Sequence, residues 1–336
     1  MEGALLDSFL ITDETNISYL SGFNGTDAVM LVTLDKGYFF TDSRYIEETK
    51  KELAGHLEVR LVEESLFVSI DEIISGKKLK KLGFESMNLP YGVASKLKNL
   101  LSKTEFIPVK NLVEILRSVK DGGEIARIKK AVKMAKEVFG RVSKAVRPGV
   151  SEELIKQKIE LDLIKNGSAC AFESIIASGE NSSKPHARAT GRSFKNNDFV
   201  MIDMGAKVDG YNSDLTRVMT LGRVSEKFSK IYETVRQAQH KAIDCIIPGA
   251  KASDVDKAGR DYIAKNGFGK YFGHSLGHGV GMAVHEEPSI SPSSKILLAP
   301  GMVFTVEPAI YIPGFGGVRI EDMVLVTKNG CEVLTK

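Results

Sequence analysis

Residues 200–217, VMIDMGAKVDGYNSDLTR, decide how the rest of the chain is read. Two aspartates, Asp203 and Asp214, stand eleven residues apart, with Gly205 and Gly210 between an apolar run and a threonine-containing segment. That is the pattern of a β-hairpin with a carboxylate near the end of each strand. Period-2 geometry turns both acids to one face, where they form half of a hard-cation site.

A matching half lies near the C-terminus. In residues 302–327, MVFTVEPAIYIPGFGGVRIEDMVLVT, Glu307 ends the first apolar run and Glu321 sits within the second, across a turn at residues 313–317. An internal repeat connects the two stretches: Pro148-Gly149 and Lys165-Asn166-Gly167 recur as Pro248-Gly249 and Lys265-Asn266-Gly267, offset by one hundred residues at every position. The offset predicts a duplicated αα-ββ unit whose copies each end in a carboxylate-bearing hairpin. Taken singly, each acid reads as a solvated strand or turn residue. Four of them, embedded in apolar runs and paired by a repeat, read as a site. Bare, such a cluster repels itself and some members must take up protons; two divalent cations remove that problem.

Composition narrows the alternatives. At 336 residues the chain exceeds the usual size of one core, which predicts two domains. A net charge of +3, from 46 basic and 43 acidic side chains, is too small to point to nucleic acid. The opening MEGALLDSFLITDE has no basic leading region and carries Glu2 and Asp7, so no secretory signal is expected there. No stretch approaches the roughly 20 apolar residues of a membrane helix. Cys170, Cys245 and Cys331 are far apart and odd in number, which predicts reduced thiols in a cytoplasmic protein.

Along the chain, AVMLVTLDKGYFFTD from Ala28 reads as two strands turning at Asp35-Lys36-Gly37. Alternating helical and strand-like segments continue to Val109, the pattern of a small α/β domain. After a helix at residues 111–119, Asp121-Gly122-Gly123 marks the boundary. Ile125, Ile128, Val132, Ala135, Phe139 and Val142 then recur at helical spacing, predicting a long amphipathic helix over residues 124–146, which Pro148-Gly149 stops. A second helix follows, N-capped by Ser151 and closed at Asn166-Gly167.

Three histidines, His274, His278 and His285, fall in GHSLGHGVGMAVHEEP. Its glycines argue against a plain helix and leave open backbone through which side chains can reach a metal. The His274/His278 spacing is not a zinc-helix signature, because H-E-x-x-H is absent. His240, in a helical pattern, reads as a packing or surface residue, and His56 carries no signal. His186 lies in a loop, NSSKPHARATG, before the first hairpin.

Asp203, Asp214, His278, Glu307 and Glu321, in the contexts IDMGAKVDGYNSDLTR, HSLGHGVGMAVHEEP, VFTVEPA and GVRIEDMVLV, resemble the five metal ligands of the metallopeptidase family containing prolidase, aminopeptidase P and methionine aminopeptidase. Order and spacing fit the prolidase and aminopeptidase P branch. NISYLSGFNG and FTDSRY resemble that branch's creatinase-like N-terminal domain. The resemblance implies an α+β protein with a creatinase-like α/β domain over residues 1–120 and a pseudo-twofold "pita-bread" catalytic domain over residues 121–336. Family members usually carry a helix before the LLITD-like strand, for which residues 1–7 are too short, and this bears on N-terminal packing and dimer contacts.

The function implied is hydrolysis of the Xaa-Pro bond at the N-terminus of dipeptides or short peptides, by an enzyme that is commonly a homodimer. The resemblance makes Asp203 bidentate to one ion, Asp214 and Glu321 bridging, and His278 with Glu307 the completion of the other. Oxygen-rich ligation with one imidazole suits two divalent ions, manganese or cobalt first, with zinc or iron as alternatives. Such a pair makes hydroxide available near neutral pH. Glu307 is then expected to move the water proton, His285 to stabilise the oxyanion and His186 to bind substrate beside the scissile bond. His274 and Arg319 are expected in the product-side pocket, Arg319 alternatively as a residue that orients a ligand. A methionine aminopeptidase-like enzyme is disfavoured by residues 1–120 and by Arg319, two residues before Glu321; a non-catalytic binding module on the same fold is disfavoured by five filled ligand positions.

Overall fold

The structure, a computed structural model, describes residues 6–53, 55–63 and 65–336. Of the short leading segment singled out above, residues 1–5 lie outside the described residues. The chain divides into two compact units, Met1–Leu116 and Arg117–Lys336.

The first unit is a six-stranded mixed sheet with helices. Its strands are β1 (Ser8–Ile11), β2 (Val29–Thr33), β3 (Gly37–Thr41), β4 (Glu58–Leu61), β5 (Lys81–Glu85) and β6 (Glu105–Val109), in the order β4-β3-β2-β1-β5-β6. The β2–β3 hairpin turns where the Asp35-Lys36-Gly37 signal places it, with Val32 opposite Gly37. Helices α1 (Glu14–Ser21), α2 (Ile46–Glu52), α3 (Leu66–Gly76), α4 (Tyr91–Leu100) and α5 (Leu112–Ser118) connect or follow the strands. Both sheet faces are apolar: Leu10, Leu31, Phe40 and Leu82 pack on one side, Phe9, Ile11, Met30 and Phe39 on the other. That two-sided burial explains strands without polar alternation.

In the second unit, the repeat is visible as paired helices. Helix α6 (Gly122–Val142) opens on a capping box, in which Asp121 accepts from the Glu124 amide and Glu124 from the Asp121 amide. It ends four residues before the expected Val146, because Ser143–Ala145 tighten into a 3₁₀ turn. Helices α7 (Glu152–Lys165) and α9 (Ala252–Lys265) share length and offset, as the one-hundred-residue repeat requires. Helix α8 (Glu226–Ile243) packs on α9 as α6 packs on α7. Ile155, Ile159 and Leu163 of α7 are fully buried, each stabilising the fold by ~1.5–3 kcal/mol.

The strands of this unit are β7 (Ala169–Cys170), β8 (Ile175–Ser178), β9 (Phe199–Met204), β10 (Ala206–Val208), β11 (Tyr211–Asn212), β12 (Leu215–Thr220), β13 (Gly277–Gly279), β14 (Glu286–Ile290), β15 (Val303–Val306), β16 (Ala309–Ile312), β17 (Gly316–Arg319), β18 (Asp322–Thr327) and β19 (Gly330–Val333). Neither carboxylate-bearing stretch is a single continuous hairpin. In the first, β9 pairs with β12 and β10 with β11; in the second, β15 pairs with β18 and β16 with β17. The chain bends at Gly205, where an added Cβ would meet the Ser213 carbonyl oxygen at 2.1 Å, so the ladder breaks there and resumes. The halves meet at a bridge between Thr216 and Glu321, whose amide donates to the Thr216 carbonyl at 3.2 Å.

Candidate metal centre

Each acid sits where a strand meets that bend or its counterpart. Asp203 is opposite Thr216 in the β9–β12 ladder, Asp214 directly precedes β12, Glu307 directly follows β15 and Glu321 directly precedes β18. His278 is central in β13, which pairs with β15 through Gly279 and Phe304. The flanking glycines have a different reason from the one expected: a Cβ on Gly277 would lie 1.9 Å from the Thr305 carbonyl oxygen, and one on Gly279 2.2 Å from that of Glu287. Close approach of neighbouring backbone, not a gap for side chains, demands them.

The five side chains converge. One ligand atom each from Asp214, His278 and Glu321 lie within 4.8 Å of one another. His278 Nε2 is 3.3 Å from Glu307 Oε1 and 3.8 Å from Asp214 Oδ2. His278 Nδ1 lies 3.1 Å from the Gly279 carbonyl oxygen, which can only accept, so Nδ1 carries a proton and Nε2 is the ring atom turned to the acids. Thr305 ties the set together, accepting from the His278 amide and donating to Glu307 Oε1, both at 3.1 Å.

The electrostatics are those of too many carboxylates for the available cations. Burial drives Asp214 well above the usual carboxylate range, and Glu321, Asp203 and Glu307 push it further. Glu321 behaves alike, through burial, then Glu307 and Asp203. Burial also raises Asp203, against the opposing pull of Arg319. For Glu307, burial pushes upward, but the hydrogen bond and charge of His278 together with the charges of Arg319 and His274 outweigh it and leave the group below its ordinary value. Among the described residues, Asp203 Oδ1 and Asp214 Oδ1 are buried with no hydrogen-bond partner, an arrangement that is costly unless something else satisfies them. Four carboxylates and one imidazole with such oxygens fit hard or borderline divalent cations.

Around this centre is a cavity of about 1100 Å³. It is lined by all the sequence-identified site residues: His186, His274, His285 and Arg319 as well as the five above. The His285 ring lies beside that of His278, centroids 4.1 Å apart and planes tilted by 48°, and burial holds its imidazole below the ordinary value. Burial also lowers His274, whose Nδ1 is 2.7 Å from the Ser275 carbonyl oxygen and whose buried Nε2 has no hydrogen-bond partner among the described residues. Arg319 is 4% exposed and fully engaged with protein: Nε donates to Thr216 Oγ1 at 3.1 Å, Nη1 to the Pro185 carbonyl at 3.1 Å and to the Tyr311 hydroxyl at 2.6 Å, and Nη2 to Asp203 Oδ2. Thr216 Oγ1 in turn donates to Glu321 Oε2 at 2.6 Å. His240 lies in the last turn of α8 and is not part of the cavity lining.

Sequence reasoning missed Thr216, Thr305 and Tyr311. Tyr311 had a signal: strand alternation from Glu307 puts residues 309 and 311 on its face. Burial raises the Tyr311 phenol to about 12, so it stays protonated. Thr216 had a weaker signal, as the residue that the β9–β12 register sets against Asp203.

Residues 126–328 match the model of metallopeptidase family M24, and residues 1–119 match the creatinase/prolidase N-terminal domain. The chain is 39% identical over 339 residues to an Xaa-Pro dipeptidase of Pyrococcus horikoshii, covering 100% of this chain and 94% of the relative. Among solved structures it is similar to an Xaa-Pro dipeptidase from Bacillus anthracis, at TM-score 0.95 and 39% identity, covering 100% and 94% of the two chains. An X-Pro aminopeptidase from Thermotoga maritima is similar at TM-score 0.89 and 33% identity, covering 98% and 96%.

Proposed function

The chain belongs to metallopeptidase family M24, and on that premise we propose that it hydrolyses the Xaa-Pro bond of dipeptides, with two divalent cations, manganese or cobalt, held by Asp203, Asp214, His278, Glu307 and Glu321. The observation that carries the reading is the convergence of four carboxylates and one imidazole, with partnerless Asp203 and Asp214 oxygens, in a cavity of about 1100 Å³. Bound there, two cations supply Lewis-acid activation of a water and of the scissile carbonyl.

The protein's own groups complete the chemistry. A carboxylate oxygen of Glu307 takes the water proton and returns it to the leaving nitrogen. His285, kept neutral by burial, donates its N–H to the carbonyl oxygen as negative charge develops there. His186 binds the substrate on the open side, and His274 lines the product side with Tyr311, their rings 5.7 Å apart. Arg319 orients Asp203 and, through Thr216, Glu321, the second of the two roles considered for it; its occupied guanidinium supports this over direct substrate binding. An Xaa-Pro bond has no N–H, so a site that makes no use of that donor accepts it where other peptidases do not.

Preference for dipeptides over longer peptides is supported by likeness to the Xaa-Pro dipeptidases; an X-Pro aminopeptidase is the second reading, favoured by the Thermotoga maritima neighbour. Three free cysteines fit action in the cytoplasm, and the family resemblance implies a homodimer, which light scattering would check. Assay of the manganese-loaded enzyme against Xaa-Pro dipeptides, Xaa-Pro tripeptides and Met-Ala peptides decides between the readings. Turnover of Xaa-Pro dipeptides with about two ions per chain is expected. Cleavage of tripeptides alone would move the assignment to an aminopeptidase, and absence of both metal and turnover would overturn it.

A further inference from the structure

Behind the loop that carries His285 lies a group of charges that the chemistry above does not use. Glu286, the next residue, has a side chain 3% exposed. It accepts from Arg117 Nη2 at 2.6 Å and lies 2.7 Å from Lys120 Nζ; those two side chains are 5% and 1% exposed. Glu124, itself 7% exposed, adds the second negative charge near Lys120, so two cations face two anions. Burial pulls the Lys120 ammonium below its ordinary value, and Glu286 and Glu124 push it back up.

Such a cluster is a poor way to gain stability, since desolvating the ions cancels most of their attraction, and apolar side chains would do as well. What it can provide is a fixed position. The Glu286 carboxylate reaches back over its own loop, accepting from the Ala283 amide at 3.2 Å. It also packs on the Gly281 α-carbon, where a Cβ would come within 2.3 Å of Oε1. From the other side, buried Asn212 donates its side-chain amide to the Gly281 and Met282 carbonyls at 3.0 and 2.9 Å, and its backbone amide to Gly281 at 2.8 Å. Residues 281–284 are thus held at both edges, with His285 following directly. No element spans His285 itself, because β14 begins one residue later.

We propose that Lys120 and Arg117, through Glu286, are positioning residues for His285, setting where its imidazole stands beside His278 in the substrate cavity. The proposal rests on the reading of His285 given above, but the placement is measurable apart from it. If the cations only stabilise the fold, their loss is felt equally with or without His285. If they place the imidazole, their loss matters only while His285 is present.

The test uses the full-length, metal-loaded enzyme and Lys120→Met, alone and combined with His285→Ala, with Arg117→Lys as a second variant should Lys120→Met not fold. In the presence of His285, kcat for an Xaa-Pro dipeptide is expected to fall about 10- to 100-fold with KM nearly unchanged, the scale of effect an ångström of misplacement produces. In the His285→Ala background the same substitution is expected to cost less than about 2-fold. Equal losses in both backgrounds, or no loss with His285 present, would overturn the proposal. Independently of turnover, in the enzyme loaded with diamagnetic zinc the imidazole C–H signal absent from spectra of His285→Ala should shift in Lys120→Met while those of His56 and His240 stay in place. An unmoved His285 signal overturns the proposal even if the enzyme is active, and a moved one supports it even if Xaa-Pro peptides are not the substrate.

Discussion

Arg319 shows how much of the centre depends on a residue that need touch no substrate. Its guanidinium reaches Asp203 directly and Glu321 through Thr216, one candidate ligand from each half of the repeat. Lysine keeps the charge but presents a point donor in place of a planar fork, so it cannot hold Thr216, Tyr311 and Asp203 at once. Arg319→Lys is therefore expected to weaken manganese binding about 10- to 100-fold, as loss of an orienting partner usually does, with KM at saturating metal nearly unchanged. Metal titration by calorimetry beside steady-state kinetics checks it. A raised KM with unaltered metal affinity would return Arg319 to the product pocket. The double reading existed because sequence separation says how far Arg319 is from Glu321 but not which strand it faces; only the β17 pairing, with Arg319 opposite Ala309, turns it onto Asp203.

At the scale of elements, the repeat makes a sharper comparison possible. Helices α7 and α9 begin at equivalent positions, but Ser151 accepts from the Leu154 amide while its counterpart, Lys251, provides no side-chain cap in the same extended conformation. Lys251→Ser should stabilise the protein by ~0.5–1 kcal/mol, and Ser151→Ala should cost ~1 kcal/mol. In thermal melts each kcal/mol corresponds to about 2–4 °C, opposite in sign for the two variants. A null result for Lys251→Ser would mean that the backbone bridge from Lys251 to Leu297 already fixes that helix end. Helix starts, the β2–β3 turn and the one-hundred-residue offset were legible because each is set by a local signal: a cap, a turn dipeptide, a Pro-Gly stop. The nested ladders inside each hairpin were not. The bend at Gly205 is forced by the Ser213 carbonyl, a contact that appears only once the strands have paired. For the same reason the glycines around His278 were visible as exceptions to a helix, while their cause, the backbones of residues 305 and 287, was not.

At the scale of the whole molecule, the candidate centre lies on the seam between the two halves of residues 117–336. Asp203 and Asp214 come from one copy of the repeat, Glu307 and Glu321 from the other, and Thr216 bridges Glu321 across the join. Without cations, the buried acids of both halves oppose one another and push Asp214 and Glu321 toward protonation. With them, the same oxygens would cross-link the copies. Binding to the folded form alone stabilises it by about 2.7 kcal/mol for each site held at one hundred times its dissociation constant. Two such sites would raise the melting midpoint on the order of 10 °C. Removing metal with a chelator should lower the midpoint by that amount, and restoring manganese should recover it together with activity, followed by calorimetry at constant pH and protein concentration. A midpoint indifferent to both treatments would leave the four acids without the ions that their burial calls for, and the dinuclear reading would have to be abandoned.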